Sequence, residues 1–539
     1  MLSTEPTGGT MRYLLLSMFF VATTVIAVPG DVEYKLPTPG PCPTGLAFDG
    51  TYLWVADRKT DTLYAIDPVT GEVNKVIPSP GYWPMGLAFD GKYLWNVDLD
   101  DRLVYKIEPN SGTIEDVIYC PCVYPQGLTY DGTYLWVSDS KTDMIYKLDT
   151  RDGTVLTSFV APASASTGLA FDGKYLWISD HGRDEIYMVT KDGEVLLIIA
   201  SPFHYPYGMA FDGEHLWSVD YAADTIYRIR VADDEYYSVS DEKYAIVEYT
   251  QELRNYGPGM VRQLDFYLAI PENRVNQKLL GELEFNPYPT DFVTDRWGQR
   301  FAHYRFTNVK VAQSIKVSMK VRVKTCDVRY YILPDRVGSL SDIPREIKRK
   351  WLVDGSKYQI HNPIIQKAVK EAVGDERNPY WMMRKIFKYV IDHVDYELAG
   401  GWEPAPVVLQ RGKGSCSEYS FVFIALCRAA GLPARYVGAV TRREEDSSWD
   451  RVFHRWTEVY IPPYGWIPVD PSGGDTPSPR GQANAIGHIR NCYLITTVGG
   501  GDSEYLGWSY NSTAKLKSYG KCEVELEKVA EWEPLKLQP

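Results

Sequence analysis

Hydrophobic and polar positions recur with a fixed step along the first 230 residues. GLAFDGTYLWVAD begins at Gly45, GLAFDGKYLWNVD at Gly86, GLTYDGTYLWVSD at Gly127, GLAFDGKYLWISD at Gly168 and GMAFDGEHLWSVD at Gly208, steps of 41, 41, 41 and 40 residues. Each unit continues into a second short alternating run (DTLYAID in the first), and four of the five end in a run like GEVNKVI. Short apolar runs bounded by Gly and Asp read as strands. LAF and YLWVAD are two strands joined by a two-residue Asp-Gly hairpin turn; TLYAID and GEVNKVI are the third and fourth. Four short antiparallel strands every ~40 residues mark a β-propeller blade. The fifth unit lacks its fourth strand. GDVEYKLPTPG at 30–40 resembles GEVNKVIPSPG at 71–81, so the N-terminal strand is expected to complete the last blade. That closes a five-bladed ring over residues 31–232 and removes exposed sheet edges.

Some positions in the unit are constant. Trp54, Trp95, Trp136, Trp177 and Trp217 recur at one place and are expected in the core between blades. The Asp three residues later (Asp57, Asp98, Asp139, Asp180, Asp220) is expected to hydrogen-bond backbone between blades rather than hold a metal, because every unit has it. Tyr82, Trp83, Tyr124, His204 and Tyr205 lie in the loops before the first strand of a unit. Their aromatic side chains suit either packing or a glycan or protein ligand at the channel mouth. A propeller-centred lyase or sugar-binding enzyme would need non-repeating acids or histidines clustered at one channel face, and the sequence clusters none. The repeats resemble those of NHL- and YVTN-like propellers, without a motif that singles out one family.

The period changes after Asp241. YAIVEYTQEL, RQLDFYLAI and SIKVSMKVRVK are strands; in the last, Ile315, Val317, Met319, Val321 and Val323 alternate with polar residues, so one face is buried. An antiparallel β-sandwich module is expected over 240–332. Helical periodicity follows in PIIQKAVKEAV and PYWMMRKIFKYVIDHV, both opening on Pro, a favoured first helical position. His393, near the end of the second, suits the negative end of a helix better than catalysis. The expected architecture is therefore multidomain, a five-bladed β-propeller, an antiparallel β-sandwich and then an α+β domain.

Composition narrows the function. The formal charge of −13 gives nucleic-acid binding no electrostatic support. Residues 13–28, YLLLSMFFVATTVIAV, follow Arg12; these 16 apolar-rich positions are short for a membrane span and suit a signal-peptide core, with an uncleaved membrane anchor as the alternative. Residues 1–30 are thus read as signal peptide or anchor, and the bulk of the chain as secreted or otherwise outside the cytoplasm. There disulfides are permitted, and Cys492 and Cys522, which flank the last segment, are one candidate pair. No cysteine spacing matches a zinc site. Asn511-Ser512-Thr513 is a glycosylation sequon, a weak signal by itself.

The candidate chemistry lies in GKGSCSEYSFVFIALCRAAGLPARYVG, residues 412–438. Cys416 opens an apolar helix that stops at Gly431, with Pro433 beyond. There the helix N-terminus favours a thiolate and can hold an oxyanion. Cys427, eleven residues on, is an interior position of the same helix and reads as a packing thiol. A thiol nucleophile needs a base and an orienting group. RVFHRWTEVYIPPYGWIPVDPSGG supplies His454 on one strand and, past a Pro-Pro-Tyr-Gly turn, Asp470 at the end of the next.

These stretches, together with APVVLQRGKG, resemble the transglutaminase-like superfamily with papain-like catalytic logic, over roughly residues 343–474. The resemblance implies a catalytic domain over 340–500 with a C-terminal extension at 501–539. It implies Cys416 as nucleophile, His454 as base and acid, and Asp470 as the group that orients His454. The backbone N–H of Cys416 would be one oxyanion donor; Trp402 or Gln410 are candidates for a second. Glu418, Tyr419, Trp456 and Trp466 also match motif positions and frame the site. The implied activity is thiol-dependent acyl transfer or hydrolysis at protein or peptide amides, without cofactor or required metal, with the propeller binding substrate or a partner. A catalytically silent scaffold or adhesion protein is the alternative, which loss of a triad member would favour; all three are present.

Overall fold

The computed structural model describes residues 28–231, 236–398 and 402–536. Nearly all of the signal-peptide or anchor segment (1–27) lies outside the described residues. Among the described residues, no helix is long and apolar enough to cross a membrane.

Each repeat forms one four-stranded antiparallel sheet, in the first repeat Pro43–Phe48, Leu53–Asp57, Thr62–Ile66 and Val73–Pro78. The innermost strands of the five sheets contact one another in sequence order, and the fifth contacts the first, giving a propeller-like ring. The glycine that opens each repeat makes this possible. A Cβ on Gly45 would lie 2.2 Å from the Met85 carbonyl oxygen, and one on Gly208 would lie 2.7 Å from the backbone of Gly45, where the ring closes. Strand Val32–Pro37 pairs antiparallel with Thr225–Ile229 and supplies the fourth strand of the last sheet.

The five tryptophans are at most 2% exposed and pack against apolar residues of the next repeat; Trp217 packs against Leu46 and Leu53 of the first. Two expectations need correction. The connection after the first strand is a four-residue loop, because Phe48 pairs with Leu53. Its Asp49 needs the room: one carboxylate oxygen accepts the N–H groups of Thr51 (2.8 Å) and Tyr52 (2.6 Å), and the other accepts the indole N–H of Trp54 (2.8 Å). The second recurring Asp bonds backbone within its own sheet, not between sheets. Asp57 accepts the N–H groups of Cys42 (2.6 Å), Lys59 (3.0 Å) and Thr60 (2.9 Å), which tie the two loops at one end of its sheet.

The module after the ring is sandwich-like. Tyr237–Ala269, the longest strand, pairs with Ser314–Tyr330 along its first half and Arg300–Val309 along its second. Register shifts between Asn255 and Gln263 bend it, and residues of both halves share one core with Val317, Met319, Val321 and Val323. Residues 512–534, expected to extend the catalytic domain, pair instead along 245–268 of this strand. The chain thus returns to the module after passing through the helical region. The expected disulfide is absent: all eight cysteines are free, Cys522 lying opposite Pro258 on the module strand while Cys492 is buried before the strand Tyr493–Gly499. Asn511 is 1% exposed and donates to the Ala439 carbonyl (3.3 Å), so the sequon is closed in the folded chain.

Among the described residues, six α-helices follow the module: α1 (Arg345–Trp351), α2 (Pro363–Val373), α3 (Pro379–His393), α4 (Ala405–Arg411), α5 (Cys416–Ala429) and α6 (Pro479–Asn484). Asn362 and Asn378 cap α2 and α3 ahead of their prolines. Helix α5 is buried along almost its whole length against α2, α3, α4 and a four-stranded sheet ordered 465–469, 454–461, 434–441, 493–499. The ring joins this region through its fourth sheet. There the outermost strand, VLLIIA at Val195–Ala200, is buried at all but its last residue, whereas its counterpart Val73–Pro78 is mostly exposed. The buried Arg384 of α3 donates to the Val195 carbonyl (2.8 Å), and Arg480 forms a two-bond ion pair with Glu185 (2.6 Å each).

Candidate active site

Local sequence places Cys416. Gly412 ends α4 in the left-handed region (φ 70°). Gly414 follows, where a Cβ would lie 2.9 Å from Glu418. Ser415 is the N-cap of α5, and its N–H donates to Glu418 (3.0 Å), the reciprocal arrangement of a capping box. Glu418 is fully buried and also accepts from the Glu403 N–H (3.1 Å) and the Arg411 guanidinium (2.8 Å). One carboxylate therefore fixes the approach to α5, the end of α4 and the segment beginning at Trp402. Cys416 is the first helical residue and is 7% exposed.

His454 opens the strand His454–Ile461, which packs against α5. Its Nε2 lies 2.7 Å from Asp470 Oδ2. The other oxygen of Asp470 accepts the Gly473 N–H (3.0 Å) and the Ser472 hydroxyl (2.9 Å). Gly473 has no alternative, since a Cβ there would lie 2.5 Å from Asp470. The Asp470 contact leaves the other imidazole nitrogen for the Cys416 sulfur, whose thiol the imidazole stabilises as thiolate. The three residues singled out from sequence thus converge.

Their charges are coupled. Burial alone would raise the Cys416 thiol, but the hydrogen bond and charge of His454 and the Arg455 N–H outweigh it and hold the thiol below its ordinary range. Burial would lower the His454 imidazole, but the Asp470 carboxylate first and the Cys416 sulfur second push it up to about 10. Burial would raise Asp470, and His454 holds it below the usual carboxylate range. The arrangement favours a thiolate–imidazolium pair. Cys427 has no such partner, is fully buried, and is pushed well above an ordinary thiol.

Other expected residues sort by distance from this centre. Trp456 stacks beside the His454 ring (centroids 5.7 Å apart). Tyr419 donates to Asp475 (2.8 Å) and lies against the Val394 carbonyl. Trp466 packs on Arg435 (3.9 Å) and Trp351, and its recorded contacts do not include the triad. Trp402 lies over Arg455 (5.2 Å) and near Tyr510 (6.2 Å). Gln410 is exposed on the last turn of α4.

Several residues were not found from sequence. Tyr493 also lies beside His454 (5.7 Å) and packs on Trp456 (4.9 Å). Asp450 is fully buried and accepts from Thr441 N–H (2.7 Å), Val452 N–H (3.1 Å) and Phe453 N–H (2.9 Å), holding the turn that delivers His454. In that turn Phe453 sits at φ 61°, a conformation that costs a bulky residue energy. Arg455 is fully buried, donates to the Trp508 carbonyl (2.7 Å) and lies 4.3 Å from the Tyr510 ring. Asp450 and Tyr493 had no local signal. Arg455, a charge inside an apolar strand, was one.

The family match agrees with this geometry. Residues 366–471 match the family model of the Transglutaminase-like superfamily, so the chain carries a transglutaminase-like domain, and the match spans Cys416, His454 and Asp470. An uncharacterized protein of Haemophilus influenzae is 23% identical over 259 residues, covering 42% of this chain and 68% of that protein. The uncharacterized protein YebA of Bacillus subtilis is 28% identical over 177 residues, covering 30% of this chain and only 21% of that protein. Among solved structures, a candidate cysteine protease from Cytophaga hutchinsonii aligns with a TM-score of 0.40 at 16% identity, covering 55% of this chain and 100% of that one. Glutaminyl cyclase from Myxococcus xanthus aligns with a TM-score of 0.35 at 14% identity, covering 38% of this chain and 97% of that one.

Proposed function

We propose that the protein is a thiol-dependent enzyme acting outside the cytoplasm on peptide or isopeptide amides, mainly as a hydrolase. The observation that carries this reading is the His454–Asp470 contact of 2.7 Å beside a Cys416 whose thiol is held low. The Cys416 thiolate attacks the amide carbonyl carbon, and the C=O electron pair moves onto oxygen. The Cys416 N–H at the start of α5 faces that oxyanion, with the Trp402 indole as candidate second donor. As the tetrahedral adduct collapses, His454 gives its proton to the departing amine and a thioester remains. His454 then takes a proton from water, whose oxygen attacks the thioester; the acid is released and Cys416 returns. An amine in place of water gives a new amide by the same step. His454 and Asp470 retain side-chain exposures of 19% and 22%, which supports access by water. The ring serves as a binding unit for substrate or partner. The location outside the cytoplasm rests on the apolar run at 13–28.

The test is incubation of the protein with casein and a labelled amine, following both fragments and incorporation. The expected result is fragments in excess of incorporation, both lost in Cys416→Ala. Equal activity in that variant would overturn the assignment.

A further inference from the structure

The ring carries its own internal control. In all five repeats one backbone hydrogen bond joins the loop after the second strand to the loop before the first, from Arg58 N–H to Cys42 O (3.0 Å) in the first to Tyr221 N–H to Tyr205 O (3.2 Å) in the fifth. Positions that build the fold keep one residue in every repeat, as Trp54 and Asp57 do. The donor position at this bond instead reads Arg58, Leu99, Ser140, His181 and Tyr221. An unchanged backbone with changing side chains means that the blade requires no one residue here; Leu99 packs into the core, whereas Arg58, His181 and Tyr221 are half-buried.

Arg58, His181 and Tyr221 fall in one cluster at one end of the ring. The Arg58 guanidinium lies 5.2 Å from the Trp83 ring and 5.3 Å from the Tyr221 ring, and donates to the Tyr221 hydroxyl. Tyr221 stacks on Tyr207 (5.0 Å), Tyr207 lies 5.7 Å from His181, and His181 stacks on Tyr205 (6.1 Å). Side chains of four repeats are thus in one cluster. Among the described residues Arg58 has no carboxylate partner. Its neighbour Asp57 is fully buried and spends its oxygens on backbone N–H groups. The rim is open, with Trp83 42%, Tyr124 45% and Tyr205 50% exposed. Tyr205 is also held at φ 56°, a strained conformation that the corresponding Trp83 and Tyr124 do not share.

We propose that this mouth is a second binding site, for a carboxylate-bearing pyranose unit of a glycan. A guanidinium with free N–H groups matches a carboxylate in two-bond geometry. Rings stacked at interplanar angles of 20° and 30° present flat faces that suit the C–H faces of a sugar ring better than branched peptide side chains. The site is independent of Cys416 chemistry.

Calorimetric titration of the full chain with tri-galacturonic acid tests it. The expected result is saturable one-site binding, with a neutral maltotriose at least about tenfold weaker. Trp83→Ala, and Arg58→Lys with its charge kept but its fork lost, should each weaken binding about tenfold, the scale of one charge-assisted or stacking contact. The melting curve and the turnover of a short unglycosylated peptide amide should stay unchanged in both variants. No saturable binding, equal binding by both variants, or tighter binding of a glutamate oligopeptide than of the uronate would overturn the proposal.

Discussion

The two ends of α5 hold the same side chain in opposite states. Cys416 and Cys427 are both buried and eleven residues apart on one helix. Burial alone would raise both thiols, and in Cys427 it does. At Cys416 the helix N-terminus, the imidazole beside it and one backbone N–H reverse the sign. Reactivity here is therefore not a property of exposure or of cysteine but of what faces the sulfur. The sulfur faces His454 because Asp470 holds that ring, and Asp470 is itself held by Gly473 and Ser472.

The comparison breaks most severely at the sulfur itself. Cys416→Ser should lower amide turnover by about 10⁵-fold, because a hydroxyl is not ionised by this imidazole. Steady-state kinetics on a peptide amide measure it, and rapid labelling of the folded protein by iodoacetamide should vanish in the same variant. Next comes the orienting group. Asp470→Asn should cost about 10³-fold in kcat with little change in KM. It should also move the pH profile. In the wild type, protonated His454 persists until pH rises through about 10, so the alkaline limb lies there. Without the carboxylate the imidazole falls toward its ordinary range, and the alkaline limb should move down with it. An alkaline limb unchanged in Asp470→Asn would show that the carboxylate does not set the charge state of the pair.

Much of this was legible because the signals were local. An apolar run ending at a Gly-Leu-Pro stop marks α5, and a Pro-Pro-Tyr-Gly turn joins the strands that carry His454 and Asp470. The ring was legible because each unit repeats, so a missing fourth strand at one end could be matched to a spare strand at the other. The pairing of 512–534 with 245–268 was not, since alternation tells which face a strand buries and not which distant strand it joins. Asp450 and Tyr493 were hidden for the same reason: their roles exist only once separate strands lie side by side. The fourth sheet is an intermediate case. VLLIIA is apolar where VNKVIP alternates, so a covered outer strand was readable; its partner Arg384 was not.

Between the two thiols in effect stands Glu418, which serves the helix start rather than the chemistry. Glu418→Gln keeps the shape but removes the charge that faces Arg411 and the N-terminus of α5. The expected loss is about 2 kcal/mol of stability in denaturant unfolding, with the Asp470-dependent alkaline limb left in place. A shift of that limb would assign Glu418 to the charge network of the site instead.

Cys427→Ala is the smallest change and the sharpest control. It removes one buried sulfur and leaves a small cavity, so about 1–2 kcal/mol of stability should be lost. Turnover, pH profile and iodoacetamide labelling of the folded protein should all match the wild type, because burial outweighs the neighbouring Arg428 charge and keeps this thiol protonated. A label lost from the denatured but not the native protein would place the whole difference between the two cysteines in the folded surroundings. If native labelling fell instead, Cys427 would have been open to solvent, and the contrast between the ends of α5 would rest on access rather than on charge.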